Sequence, residues 1–211
     1  MSFLFRYSRR VANHRPCAST CLFVAATGFG LLLYLGIYRD YATAFSEAAQ
    51  ASMSSFSISS PSFPNGGDIA KQFTCDGADV SPQLSWTDSP VPIHSFALLV
   101  DDPDAPIGNW THWTMWNLPA DARGLREGVS KSARLPDGSQ QGINDFRKTG
   151  YNGPCPPVGK PHRYYFKLFA LDVKLELKPD AGKKELEAAM KGHIVANAEW
   201  MGRYQRKHTT P

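Results

Sequence analysis

The chain has 211 residues, 42% of them hydrophobic and 20% charged, the composition of a globular protein long enough for one ordinary core. Its net charge of +4 is unevenly placed: within residues 1–44, Arg6, Arg9, Arg10, Arg15 and Arg39 face only Asp40, so the remainder balances 18 basic against 18 acidic side chains. A neutral domain lacks the basic footprint on which nucleic-acid binding depends, and nucleic acid is set aside as a partner.

In chain order, residues 1–15 are a basic leader and residues 16–38 an uncharged, mostly apolar stretch (Cys21-Leu-Phe-Val-Ala-Ala-Thr-Gly-Phe-Gly-Leu-Leu-Leu-Tyr-Leu-Gly-Ile-Tyr38). About 20 apolar residues span a bilayer, and arginines ahead of them hold the N-terminus in the cytoplasm. The stretch is therefore expected to be a transmembrane or signal-anchor segment. The domain behind it is then membrane-anchored on the extracytoplasmic side, or secreted or periplasmic if cleavage follows Ala42-Thr43-Ala44. Residues 39–60, rich in serine and alanine, are expected to be a flexible linker, and residues 61–207 the folded domain.

Within the domain the periodicity is that of strands, punctuated by Gly and Pro. His94–Val100, Thr111–Leu118 and Arg163–Leu171 are buried-strand candidates, the last alternating on Tyr164, Phe166, Leu168 and Ala170. One helix is expected at Lys183–Lys191, capped by Asp180 and stopped by Gly192, with Leu186, Ala189 and Met190 on one face. His193–Tyr204 then closes the fold as a strand. Long strands with few helices predict an all-β-dominated sandwich.

Polar residues suited to recognition concentrate at strand ends beside Pro-rich loops, where ordering a site costs little entropy. Three segments stand out: Asp101-Asp-Pro-Asp-Ala-Pro106, Trp110-Thr-His-Trp113, and Gly153-Pro-Cys-Pro-Pro-Val-Gly-Lys-Pro-His-Arg-Tyr164. Taken singly, the first is as readily a turn, His112 a core histidine, and His162-Arg-Tyr164 a solvated strand edge. Together they resemble the signature segments of the phosphatidylethanolamine-binding-protein family. Thr74–Trp86 and Gly142–Cys155 are similar to its bacterial and archaeal Raf-kinase-inhibitor-like branch, with Arg147 a departure after Asn144-Asp-Phe146.

The resemblance implies a Greek-key β-sandwich with one or two peripheral helices and a small pocket for phosphate-bearing or phosphoethanolamine-like groups. It places Asp102, His112, His162 and Tyr164 as the pocket lining, and Pro106, Trp110 and the loop from Gly153 and Pro154 to Pro157 as its rim. Asp102 must then be neutral, face an ammonium, or orient a histidine, since a bare carboxylate repels an oxyanion. Asp104 is expected to fix the loop. The expected function is non-catalytic ligand binding, with inhibition or regulation of a kinase or protease through the rim loops as the alternative. No cofactor is expected. A metal site is the weaker reading of Asp and two His, because no pair has the short fixed spacing of metal motifs. A Ser-His-Asp hydrolase lacks its Gly-x-Ser-x-Gly elbow. Cys75 and Cys155 are either a disulfide, which an extracytoplasmic location permits, or two buried thiols.

Overall fold

Runs of aromatic and β-branched residues form long strands because their side chains pack on a pleated surface. The computed structural model describes residues 56–207. Along them lie β1 (Ile58–Ser59), β2 (Gly67–Asp68), β3 (Leu84–Trp86), β4 (Ser95–Asp102), β5 (Trp110–Pro119), β6 (Gly124–Leu125), β7 (Gln140–Gln141), β8 (His162–Leu171), helix α1 (Lys183–Met190) and β9 (Ile194–Tyr204). A six-stranded sheet runs β2-β9-β8-β4-β5-β7, and β1-β3-β6 form a small second sheet. β4 is buried along its whole length because it lies between β8 and β5 and is covered on both faces.

The main core fills the space between the sheets, with Ile58, Leu84, Trp86 and Leu125 from the small sheet packed on Phe96, Leu98, Trp113, Met115, Phe166 and Leu168 from the large one. On the opposite face, Leu186 and Met190 of α1 cover Ala97, Trp116 and Leu171. The helix begins where expected, but Asp180 is not its cap. Gly182 occupies that position, and the Glu185 side chain reaches back to accept the Gly182 N–H at 3.0 Å. The domain also starts earlier than the serine-rich composition suggests: Ile58 and Ser59, within the stretch expected as linker, form β1, and Phe56 stacks on Phe96 at 5.9 Å.

Among the described residues no helix is long and apolar enough to cross a membrane. The leader 1–15, the apolar stretch 16–38 and most of the linker lie outside the described residues.

Two irregularities in β5 decide which side chains face the core. Phe96 pairs with Leu118 but Leu98 with Met115, leaving Asn117 at φ 56° with its amide bonded to the Leu175 backbone. Val100 pairs with Trp113 but Asp101 with Thr111, so His112 is the extra residue of a bulge. Neighbours in sequence, His112 and Trp113 therefore share the core side of the sheet, His112 against Tyr164 at 5.2 Å and Trp113 against Tyr151 at 5.5 Å.

Candidate functional site

The end of β4 and the starts of β5 and β8 meet at one edge of the sandwich, where the core face opens to solvent as a cavity of about 270 Å³. Strand alternation assigns the neighbouring carboxylates Asp101 and Asp102 to opposite faces. Asp102, 3% exposed, lines the cavity with its cross-strand partner Trp110, with His112 from the bulge and with His162 from β8. Ala105, Pro106, Ile107, Phe146, Cys155, Pro156 and Pro157 complete the wall.

The polar groups are held in a defined order. Asp102 Oδ1 accepts the Asp104 N–H at 2.8 Å, and Oδ2 accepts from His162 Nδ1 at 2.7 Å. The carboxylate is thus committed to orienting the histidine, which answers how an acidic residue can stand in a site for oxyanions. His112 Nδ1 lies 2.6 Å from the Asn152 carbonyl oxygen. A carbonyl can only accept, so Nδ1 carries the proton and Nε2 is the acceptor of the neutral ring. Burial lowers the pKa of His112 below its ordinary 6.5, an effect that outweighs the raising influence of the Asn152 carbonyl and of Asp102.

Tyr164 does not line the cavity. It is 1% exposed behind His112, its hydroxyl fully enclosed on the Asp102 side, and burial first and the Asp102 carboxylate second push its pKa well above the ordinary value. Gly153 and Pro154 also lie behind the wall. The Gly153 N–H donates to Asp79 at 2.7 Å, a β-carbon there would overlap the Phe73 carbonyl oxygen, and the Pro154 carbonyl accepts the Cys75 N–H at 3.1 Å. Cys75 and Cys155 form a disulfide with Cα atoms 5.4 Å apart, making Cys155 a covalently fixed part of the wall.

Asp104 ties the Pro-rich loop to β8 through its Arg163 ion pair at 2.7 Å and the Arg163 N–H at 2.9 Å. The Arg163 hydrogen bonds pull its pKa down to about 2. Arg147 adopts φ 58°, and the preceding Phe146 stacks edge-on against Trp110 at 5.4 Å and His112 at 5.2 Å. Asp101, on the helix side, is 1% exposed and holds Lys167 and Lys183 at 3.2 and 3.0 Å.

Sequence reasoning missed Phe146, Ile107, Asp79 and the separate role of Asp101. Phe146 and Asp79 lie inside segments recognised by family resemblance but given no site role there, and Ile107 follows directly on one. Asp79 sits in a turn-like Gly-Ala-Asp stretch, and an Asp-Asp pair gives no sign of which residue faces which way. Among the described residues no cluster of His, Cys, Asp and Glu has the arrangement of a metal site.

The model of the phosphatidylethanolamine-binding protein family matches residues 59–205. A UPF0098 protein of Methanothermobacter thermautotrophicus is 50% identical over 144 residues, 68% of this chain and 95% of the relative, and one from Aquifex aeolicus is 49% identical over 151 residues, 71% and 88%. Among solved structures, a phosphatidylethanolamine-binding protein homolog from Chlamydia trachomatis, CT736, superposes with a TM-score of 0.67 at 39% identity, covering 72% of this chain and 99% of that one. YbcL of E. coli, described as a member of the mammalian PEBP family, does so with a TM-score of 0.66 at 35% identity, covering 72% and 99%.

Proposed function

The chain belongs to the phosphatidylethanolamine-binding protein family, and on that premise we propose that its domain is a non-catalytic ligand-binding module for a phosphate-bearing, phosphoethanolamine-like group. The observation that carries this reading is the cavity: Asp102, His112 and His162 are its ionisable groups among the described residues, set in a wall of aromatic rings and prolines. Few polar groups converging in an apolar, pre-formed hollow are the usual mark of small-molecule recognition. His112 Nε2 and His162 face the ligand, Asp102 orients His162 and attracts an ammonium, and the rings of Trp110 and Phe146 favour the same cation. Calorimetric titration with phosphoethanolamine tests it. Saturable binding to one site per chain, abolished in Asp102→Ala with the fold intact, supports the reading; no heat up to millimolar ligand ends it.

The residues ahead of the domain support an extracytoplasmic placement, anchored through residues 16–38 or released by cleavage, and the disulfide suits an oxidising compartment. Membrane fractionation and N-terminal sequencing of the expressed full chain distinguish anchor from cleaved signal, and a cytosolic intact chain rejects both. A second reading, regulation of a protein target through the rim, is favoured by Ile107, which stands 78% exposed on the cavity mouth beside Pro106. Ile107→Ser separates the two, since it removes the exposed apolar contact from the mouth without bringing a charge to the phosphate and should weaken a protein contact far more than head-group binding.

A further inference from the structure

The hydrogen-bonding character of His112 is set from outside the cavity. Its Nδ1 proton goes to the Asn152 carbonyl, on a stretch whose Asn152 N–H also pairs with the His112 carbonyl at 3.1 Å, so the placement of the Asn152–Gly153 backbone bears on which ring nitrogen is free to meet a ligand. Residue 152 is clamped at both ends of its side chain. Asn144 Nδ2 donates to Asn152 Oδ1 at 2.9 Å, and Asn152 Nδ2 donates to Asp79 Oδ2 at 3.2 Å. Asp79 Oδ1 takes the next amide along, Gly153 N–H, at 2.7 Å, so one carboxylate grips both sides of the peptide unit whose oxygen holds His112. Lys131 closes the set, its Nζ 2.8 Å from Asp79 Oδ2.

Asp79 is also in an uncommon backbone state, at φ 55°, where a residue with a side chain is tolerated at some cost and glycine would sit freely. That position is explained by what the carboxylate does rather than by what the turn requires.

Resting on the ligand-binding reading above, we infer that Asp79 is a positioning residue of the cavity: through Asn152 and Gly153 it fixes His112 as the Nδ1–H tautomer and so makes Nε2 a hydrogen-bond acceptor for a ligand that brings a donor. Asp79 touches no ligand in this scheme. It acts by denying His112 the alternative tautomer, which would present an N–H to the cavity instead.

The test uses the domain, which corresponds to nearly the whole of the related solved chains. Long-range ¹H–¹⁵N spectra of the His112 ring report its tautomer without any ligand. Wild type shows the proton on Nδ1. Asp79→Asn tolerates the same backbone conformation and keeps an acceptor for Gly153, but turns a second donor toward Asn152 and Lys131; a mixture of tautomers and roughly tenfold weaker phosphoethanolamine binding are expected. Asp79→Gly, which suits the backbone, removes both contacts and should show the same change should the amide variant fold poorly. Lys131→Met, which removes only the outer ion pair, should leave the tautomer in place. An unchanged Nδ1–H tautomer with unchanged affinity in both Asp79 variants overturns the inference while leaving the ligand reading standing. A tautomer change in variants of a protein that binds no phosphoethanolamine keeps the inference and removes the ligand reading.

Discussion

Replacing Cys75 and Cys155 together by alanine opens a loop of sequence separation 80 that the disulfide closes. In the chain-entropy description, closure of a loop of that length removes disorder from the unfolded state worth about 4.5 kcal/mol at 25 °C. The alanine pair should therefore lower the unfolding free energy by about 3–5 kcal/mol, because the native state keeps other ties between the same segments. Those ties are the Cys75 N–H to the Pro154 carbonyl at 3.1 Å and the Gly153 N–H to Asp79 at 2.7 Å. Urea unfolding of the domain followed by tryptophan fluorescence measures the change, and for a chain this size it corresponds to roughly 10–15 °C in midpoint temperature. Since Cys155 is part of the cavity wall, phosphoethanolamine affinity should weaken less than stability does, the backbone ties holding the loop in place. A stability difference below about 1 kcal/mol between oxidised wild type and the alanine pair would refute the loop-closure reasoning.

The neighbours Asp101 and Asp102 should separate fold from function: Asp101→Ala removes the acceptor of Lys167 and Lys183, which are partly exposed and can turn to water, and should cost about 1–3 kcal/mol, with ligand affinity little changed in the folded fraction. Asp102→Ala should instead abolish phosphoethanolamine binding at a smaller stability cost, read by the same unfolding and calorimetric experiments. For His112 the folded state holds its proton less tightly than the unfolded chain, so stability is full above the ordinary 6.5 and falls as pH drops through it, levelling off below the lowered folded value. His112→Gln should remove that part of the pH–stability profile, measured by urea midpoints, and an unaltered profile would contradict the burial argument. Gly153→Ala should destabilise by more than about 2 kcal/mol in denaturant titration, because its β-carbon meets the Phe73 carbonyl oxygen.

Much of the frame was readable because β4, β5 and β8 bury long apolar or alternating runs, β9 alternates exposed with half-buried residues, and Leu186 and Met190 recur at helical spacing. β1, β2, β6 and β7 were not, since two residues carry no periodicity and exist only through their partners. Asp102, His112 and His162 stood out at strand ends beside prolines. Tyr164 was placed in the lining by the family resemblance and by its position at a strand start, yet sequence cannot tell how far a core residue lies from the opening. The bulge that turns His112 to the core side left no mark in Trp110-Thr-His-Trp113, for a bulge is a property of two strands in register. Asp79 was hidden for the same kind of reason: its partners Asn152 and Gly153 are more than seventy positions away.

The most direct measurement of the central claim is a heteronuclear NMR titration of the domain with phosphoethanolamine at neutral pH. Saturable shifts confined to Asp102, Trp110, His112, Phe146 and His162, with the Asp101 side of the sheet unmoved, are the result expected. Shifts scattered over both faces, or none at millimolar ligand, would contradict the assignment of this cavity as the binding site.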